Sequence, residues 1–245
     1  MAFGDIIQRK EGSNSADVSL VVTFDSTPVS GNLLVAVHMT GDNSSVSCAS
    51  ASGSYTSAIH WQNATELDAV RLWYRIAGAS EATAVTATPS ASDENGLLLL
   101  EIEGPWEASP VDQTTNPGRQ ASGTTYDCGT TGTLSQADEV AVAAVYTRSA
   151  SNGDGDSYSQ SFVTNALSAI TSGFKSISLA TKLLSATTAV TTVCTFGTGA
   201  VAQGGLVTFK KAAAGGPSAG TDTATAGLTE SLNTVSVTLR IQESG

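Results

Sequence analysis

Lys175-Ser176-Ile177-Ser178-Leu179-Ala180 alternates polar and apolar side chains residue by residue, whereas Leu97-Leu98-Leu99-Leu100 is apolar without a break. The first stretch has the period of two that sends successive side chains to opposite faces of a strand, which predicts one face toward water and one toward a core. The second begins after Gly96 and is short for a buried helix, so it suits a central strand covered on both faces. Working outward, similar runs recur at Val18–Phe24, Leu33–Met39, Val70–Ile76, Ala84–Thr88, Val140–Tyr146, Tyr158–Val163, Thr191–Phe196 and Leu206–Phe209. Gly, Ser, Asn and Asp separate them, the turn chemistry expected between strands. Roughly ten such strands predict an all-β fold, an antiparallel two-sheet sandwich of jelly-roll-like type. Helical signals are confined to single turns at Glu66–Ala69 and Asn165–Ile170.

The same pattern divides the chain. Residues 1–17 read as an N-terminal arm and 18–211 as the sandwich core. Residues 212–220, rich in Ala, Gly, Ser and Pro, read as a linker, and 221–245 as a C-terminal strand or arm. Within that arm Leu232, Val235, Val237, Leu239 and Ile241 fall mostly on one face of a strongly alternating strand. A lone strand is not stable in water. It is expected to add to this sandwich, to pair with a neighbouring subunit, or to begin a further domain, which makes these five residues candidates for assembly contacts.

Charge narrows the list of partners. Acidic residues outnumber basic ones 22 to 11, for a net charge of −11, and the closest basic pairs are Arg9-Lys10 and Lys210-Lys211. Phosphate binding needs clustered cations, so no nucleic-acid partner is expected. No apolar run approaches the roughly 20 residues that span a bilayer, so no membrane association is expected either. Met1–Lys10 carries Asp5 early and has no long apolar segment, which predicts no export signal. The three cysteines, Cys48, Cys128 and Cys194, form no CxxC pair and are expected to be buried free thiols.

Candidate sites are few. Trp61, Gln62 and Asn63, with Trp106, resemble the aromatic-plus-amide platforms on which sugar rings stack, although core packing competes for the same rings. Asn152, Asp154 and Asp156 alternate as oxygen ligands do in a calcium loop. The loop lacks the glycine and glutamate of that pattern, with Ser157 and Val163 in their places, so a plain strand connection is the competing reading and no other cofactor is expected. Glu101 and Glu103 share a strand face, but a catalytic pair faces across a cleft of about 5 Å or more. His38 is expected at the solvent or the sheet rim. With no GxSxG, HExxH or Walker pattern, no catalytic residue is assigned and an enzyme is not expected.

Four segments in order, Ser30–Val37 (SGNLLVAV), Val70–Arg75 (VRLWYR), Leu97–Gly104 (LLLLEIEG) with Pro110–Gln113 (PVDQ), and Ala137–Ala143 (ADEVAVA), resemble a β-sandwich module of tailed-phage structural proteins and bacterial surface proteins. The resemblance covers about residues 18–212 and brings no catalytic residues. It implies a virion role as a capsid decoration, head-fibre or tail-associated subunit; contacts with other virion proteins and a homo-oligomer are expected with it, and a host glycan is a further candidate partner. A charge-poor, hydroxyl-rich surface without an export signal agrees with release by lysis. An extracellular or cell-surface location, with a carbohydrate-binding or adhesin role, is the alternative.

Overall fold

A computed structural model describes residues 1–41, 46–62, 69–148, 156–170 and 175–213. The strand Leu232–Ile241, and with it Leu232, Val235, Val237, Leu239 and Ile241, lies outside the described residues. The protein is all-β, built from antiparallel sheets packed on one another, and no helix occurs among the described residues. The first half contributes β1 (Ile6–Asp17), β2 (Leu20–Thr23), β3 (Leu33–Thr40), β4 (Val46–Ser50), β5 (Gly53–Ser54), β6 (Thr56–Gln62), β7 (Ala69–Ile76), β8 (Ala84–Pro89) and β9 (Asp93–Ile102). The second contributes β10 (Trp106–Thr114), β11 (Gln120–Thr130), β12 (Asp138–Arg148), β13 (Ser157–Tyr158), β14 (Val163–Ile170), β15 (Lys175–Ser185) and β16 (Thr191–Lys211).

These strands pack in layers with a core between each neighbouring pair. A five-stranded sheet in the order β1-β9-β3-β7-β6 packs face to face on a sheet in the order β10-β16-β12-β15-β14. Leu33, Val35, Val37, Leu98, Leu100 and Trp61 from the first meet Val140, Val142, Ile177, Leu179 and Phe209 from the second in one central core. The outer face of the first sheet is covered by β2-β8-β4-β5, over Leu34, Ala36, Trp73, Leu97 and Leu99. The outer face of the second is covered by β11, β13 and the first part of β16, over Ala141, Ala143, Val145 and Ala180. The central strands of the two middle sheets are therefore covered on both faces. That accounts for the unbroken Leu97–Leu100 run, all fully buried, and it corrects the expectation from Lys175–Ala180: Ser176 and Ser178 are buried too, because a further layer lies over them.

The two halves are one topology used twice. Leu33 of β3 pairs with Ile76 of β7 and Ile102 of β9; Val140 of β12 pairs with Leu183 of β15 and Phe209 of β16. Each equivalent pair is separated by 107 residues (33 to 140, 76 to 183, 102 to 209). The edge strands repeat even their irregularity, between Ser57 and Ile59 in β6 and between Thr164 and Ala166 in β14. β1 lies beside β14 and β10 beside β6, the exchange a two-fold axis between the halves requires. Polar ties cross the seam: the Trp61 indole N–H donates to the Thr115 carbonyl at 2.6 Å, Lys175 pairs with Glu94 at 2.6 Å, and Arg9 donates to the Asn165 carbonyl at 3.1 Å.

Two further readings change. Residues 6–17 are not a loose arm but a strand hydrogen-bonded along β9, since the open edge of a buried sheet needs partners for its amides and carbonyls. Asn165–Ile170 belongs to β14 instead of a helical turn, because pairing with β15 outweighs a weak local helical preference.

Candidate functional site

The residues singled out for sugar binding are placed in the interior or at its margin. Trp61 is fully buried, its ring packed in the central core and its N–H held by Thr115. Trp106 is also buried, 4.8 Å from the Phe3 ring centroid, with its N–H donated to the Ile102 carbonyl. Neither ring offers an open face, so the platform expected there does not take shape on them. Gln62 is exposed, and Asn63 lies outside the described residues. Asn152 and Asp154 also lie outside them, while Asp156 is buried and its carbonyl accepts from the Thr164 hydroxyl at 3.2 Å. Among the described residues no group of three His, Cys, Asp or Glu side chains is placed to hold a metal.

The groups with chemical potential are mostly spent on structure. Glu101 is fully buried and accepts from the Val29 amide and the Asn32 side chain, both at 2.7 Å, and from Gln8, so it ties β1 and the Val29–Asn32 turn to β9. All three cysteines are free and buried, and burial pushes the Cys48 and Cys194 thiols up to about 12. Such thiols are inert as nucleophiles at neutral pH.

His38 corrects an expectation. It is fully buried instead of at the rim, with Nε2 at 2.9 Å from Asn95 Oδ1. The Asn95 amide nitrogen donates to Asn14 and to the Asp17 carbonyl, which fixes Oδ1 as the acceptor and places the proton on His38 Nε2. Across the sheet Arg71 stands opposite both His38 and His60. Burial lowers both imidazoles to about 4, with the Arg71 charge adding to the shift, so both are neutral near pH 7.

Glu139 is the titratable group that sequence reasoning missed. It is fully buried at the start of β12, beside the Thr208 hydroxyl and the Asp112 carboxylate. Burial pushes its carboxyl up to about 7; the Thr208 hydroxyl opposes the shift and the Asp112 charge adds to it. At Asp112, burial raises the carboxyl, but hydrogen bonding from Ser135, whose amide lies 2.8 Å away, outweighs it and holds Asp112 below its ordinary range. In the first half the equivalent residue is Asn32, which meets its glutamate, Glu101, on the neighbouring strand; no local pattern in the sequence marks either pair.

Exposed apolar side chains and a groove mark the surface of the described residues. Val21 on the edge strand β2 is 55% exposed and Val163 at the start of the edge strand β14 is 63% exposed. A groove of about 300 Å³ lies between the β13–β14 turn and the β15–β16 connection, lined by Gln160, Lys182, Ser185 and Thr188 among others. Comparison with protein-family models, with curated proteins and with solved structures yields no match to this chain.

Proposed function

We propose that this protein is a virion structural subunit that works through protein–protein contacts, joining neighbours by strand pairing at its sheet edges. The reading is carried by the apolar side chains left outward on edge strands, Val21 on β2 and Val163 on β14. An edge strand presents unpaired amides and carbonyls, and apolar side chains beside them favour addition of a further strand. The chain itself contains a strongly alternating segment, Leu232–Ile241, of the kind such an edge accepts. The tandem layered stack supports the same role, because two sandwiches sharing one central core make a rigid unit for an assembly. The virion setting rests on the resemblance of residues 18–212 and on the charge-poor, hydroxyl-rich composition.

The test compares the full chain with a chain ending at Ala213, the end of the compact unit, and with Val21→Lys and Val163→Lys. Light scattering after gel filtration and co-sedimentation with assembled particles are the readouts. The full chain is expected to self-associate or load onto particles, and the truncation or a charged edge to reduce both. A full chain that stays monomeric at high micromolar concentration and loads onto no particle refutes the reading.

A further inference from the structure

The duplication allows one half to be read against the other, and the groove at Lys182 is where they part. The connection of residues 77–83 from β7 to β8 and that of residues 184–190 are equal in length between equivalent strand positions, Ile76 and Leu183 on one side and Ala84 and Thr191 on the other. Arg75 is thus equivalent to Lys182, Gly78 to Ser185 and Glu81 to Thr188. In the neighbouring hairpin, Cys48 stands opposite Ala87 and Tyr158 opposite Cys194, which makes Ser50 the counterpart of Gln160.

In the first half this location is closed around one carboxylate. Glu81 is 3% exposed and accepts from Arg75 Nε at 3.1 Å, from the Gly78 amide at 3.0 Å and from the Ser50 hydroxyl at 3.0 Å. The rest of the Arg75 guanidinium donates to the carbonyls of Ser52, at 2.7 Å, and Ser54, at 3.3 Å, so the hairpin closes over the ion pair.

In the second half other polar residues stand at the positions around that carboxylate, and the carboxylate itself is absent. Residues 49–54 lie between Cys48 and Tyr55, but only 159–161 lie between Tyr158 and the equivalent Phe162. The shorter hairpin turns through Gln160 and Ser161 at φ of 59° and 62°, and it has no counterpart of the segment that receives the guanidinium. Lys182 supplies the positive charge, 5.8 Å from the Phe162 ring centroid. Thr188 replaces the acid. The counterparts of all three groups that hold the Glu81 carboxylate, namely Lys182, Ser185 and Gln160, line the open groove, as does Thr188.

We propose that this groove binds the carboxylate of a small polar ligand, seated where the Glu81 carboxylate sits in the first half. A cation, an amide and a hydroxyl lining one cavity are a carboxylate's usual partners. The volume, at the small end of ligand pockets, fits a molecule of the size of an amino acid or a sugar acid. Because the protein as a whole is strongly acidic, attraction depends on Lys182 locally and weakens with salt. The inference goes beyond the assembly role and does not depend on it.

The test is a titration of the isotopically labelled full chain by amide NMR at constant ionic strength, with acetate, glutamate, glucuronate, glucose and inorganic phosphate as separate probes. Carboxylates are expected to shift amides of residues 159–162 and 182–191, and glucose to shift none. The tighter binder among glutamate and glucuronate supports the proposal and identifies the source as an amino-acid or a sugar acid. Lys182→Met is expected to weaken carboxylate binding about tenfold or more, about 1.4 kcal/mol. Thr188→Glu gives the groove a carboxylate of its own, and is expected to abolish binding while the melting temperature holds or rises. Absence of local shifts with every carboxylate, phosphate or glucose binding as tightly as the carboxylates, or unchanged affinity in Lys182→Met would each overturn the proposal.

Discussion

Replacing Glu139 by glutamine should stabilise the protein at neutral and alkaline pH while leaving it unchanged in acid. An ordinary glutamate titrates near 4.5, and burial beside Asp112 and Thr208 raises this one to about 7 in the folded chain. Below pH 4.5 the group is protonated in both the folded and the unfolded chain and contributes no difference. Between pH 4.5 and 7 the unfolded chain releases the proton while the folded chain keeps it, so stability falls as pH rises. Above 7 the penalty is complete. At 1.36 kcal/mol per pH unit the whole shift corresponds to about 3 kcal/mol, or roughly 6–12 °C in melting temperature for a protein of this size. Glutamine keeps the shape and never ionises. Urea unfolding of both proteins from pH 4 to 8.5 supplies the assay, and the quantity to plot is the difference in stability at each pH, in which the other carboxylates cancel. The difference should start near zero, grow through pH 5–7 and level off in favour of Glu139→Gln. A difference that is flat with pH, or a variant less stable than the parent at pH 8, would show that the burial of Glu139 carries no such penalty.

Three other outcomes follow from the packing. Trp61→Ala removes a fully buried indole from the shared core together with its bond to Thr115, and should cost about 3–5 kcal/mol in denaturant unfolding; a loss below about 1 kcal/mol would mean that the ring does not join the halves. Thiol-specific reagents at pH 8 should leave Cys48, Cys128 and Cys194 unmodified in the folded protein and label all three in guanidinium, because burial holds the thiols protonated and out of reach. Residues 1–104 and 105–213 expressed apart should each aggregate or self-pair, since each exposes its side of the central core, and co-expression should recover a soluble complex; two well-behaved monomers would show that the halves do not need each other.

The fold class is legible in the chain's local patterning. Strand periodicity is local, so the runs at Leu33–Met39, Val70–Ile76 and Leu97–Ile102 could be recognised from the chain alone, and the four consecutive leucines already required cover on both faces. Alternation does not say what lies over each face. Ser176 and Ser178 have the pattern of a wet face and are buried because another layer of the same chain covers them, and Trp61 and His38 look like surface groups until the second sandwich and its neighbours close over them. The duplication was equally hidden: along β3 and β12 only Val35 and Val142, Ala36 and Ala143, and Thr40 and Thr147 are identical at equivalent positions. What persists between the halves is pairing register, which is set by long-range hydrogen bonding and core volume and tolerates any apolar side chain of fitting size. Only long-range strand pairing brings Glu139 beside Asp112, and only the register shared by the two halves turns Thr188 from one threonine among many into the place where a carboxylate is missing.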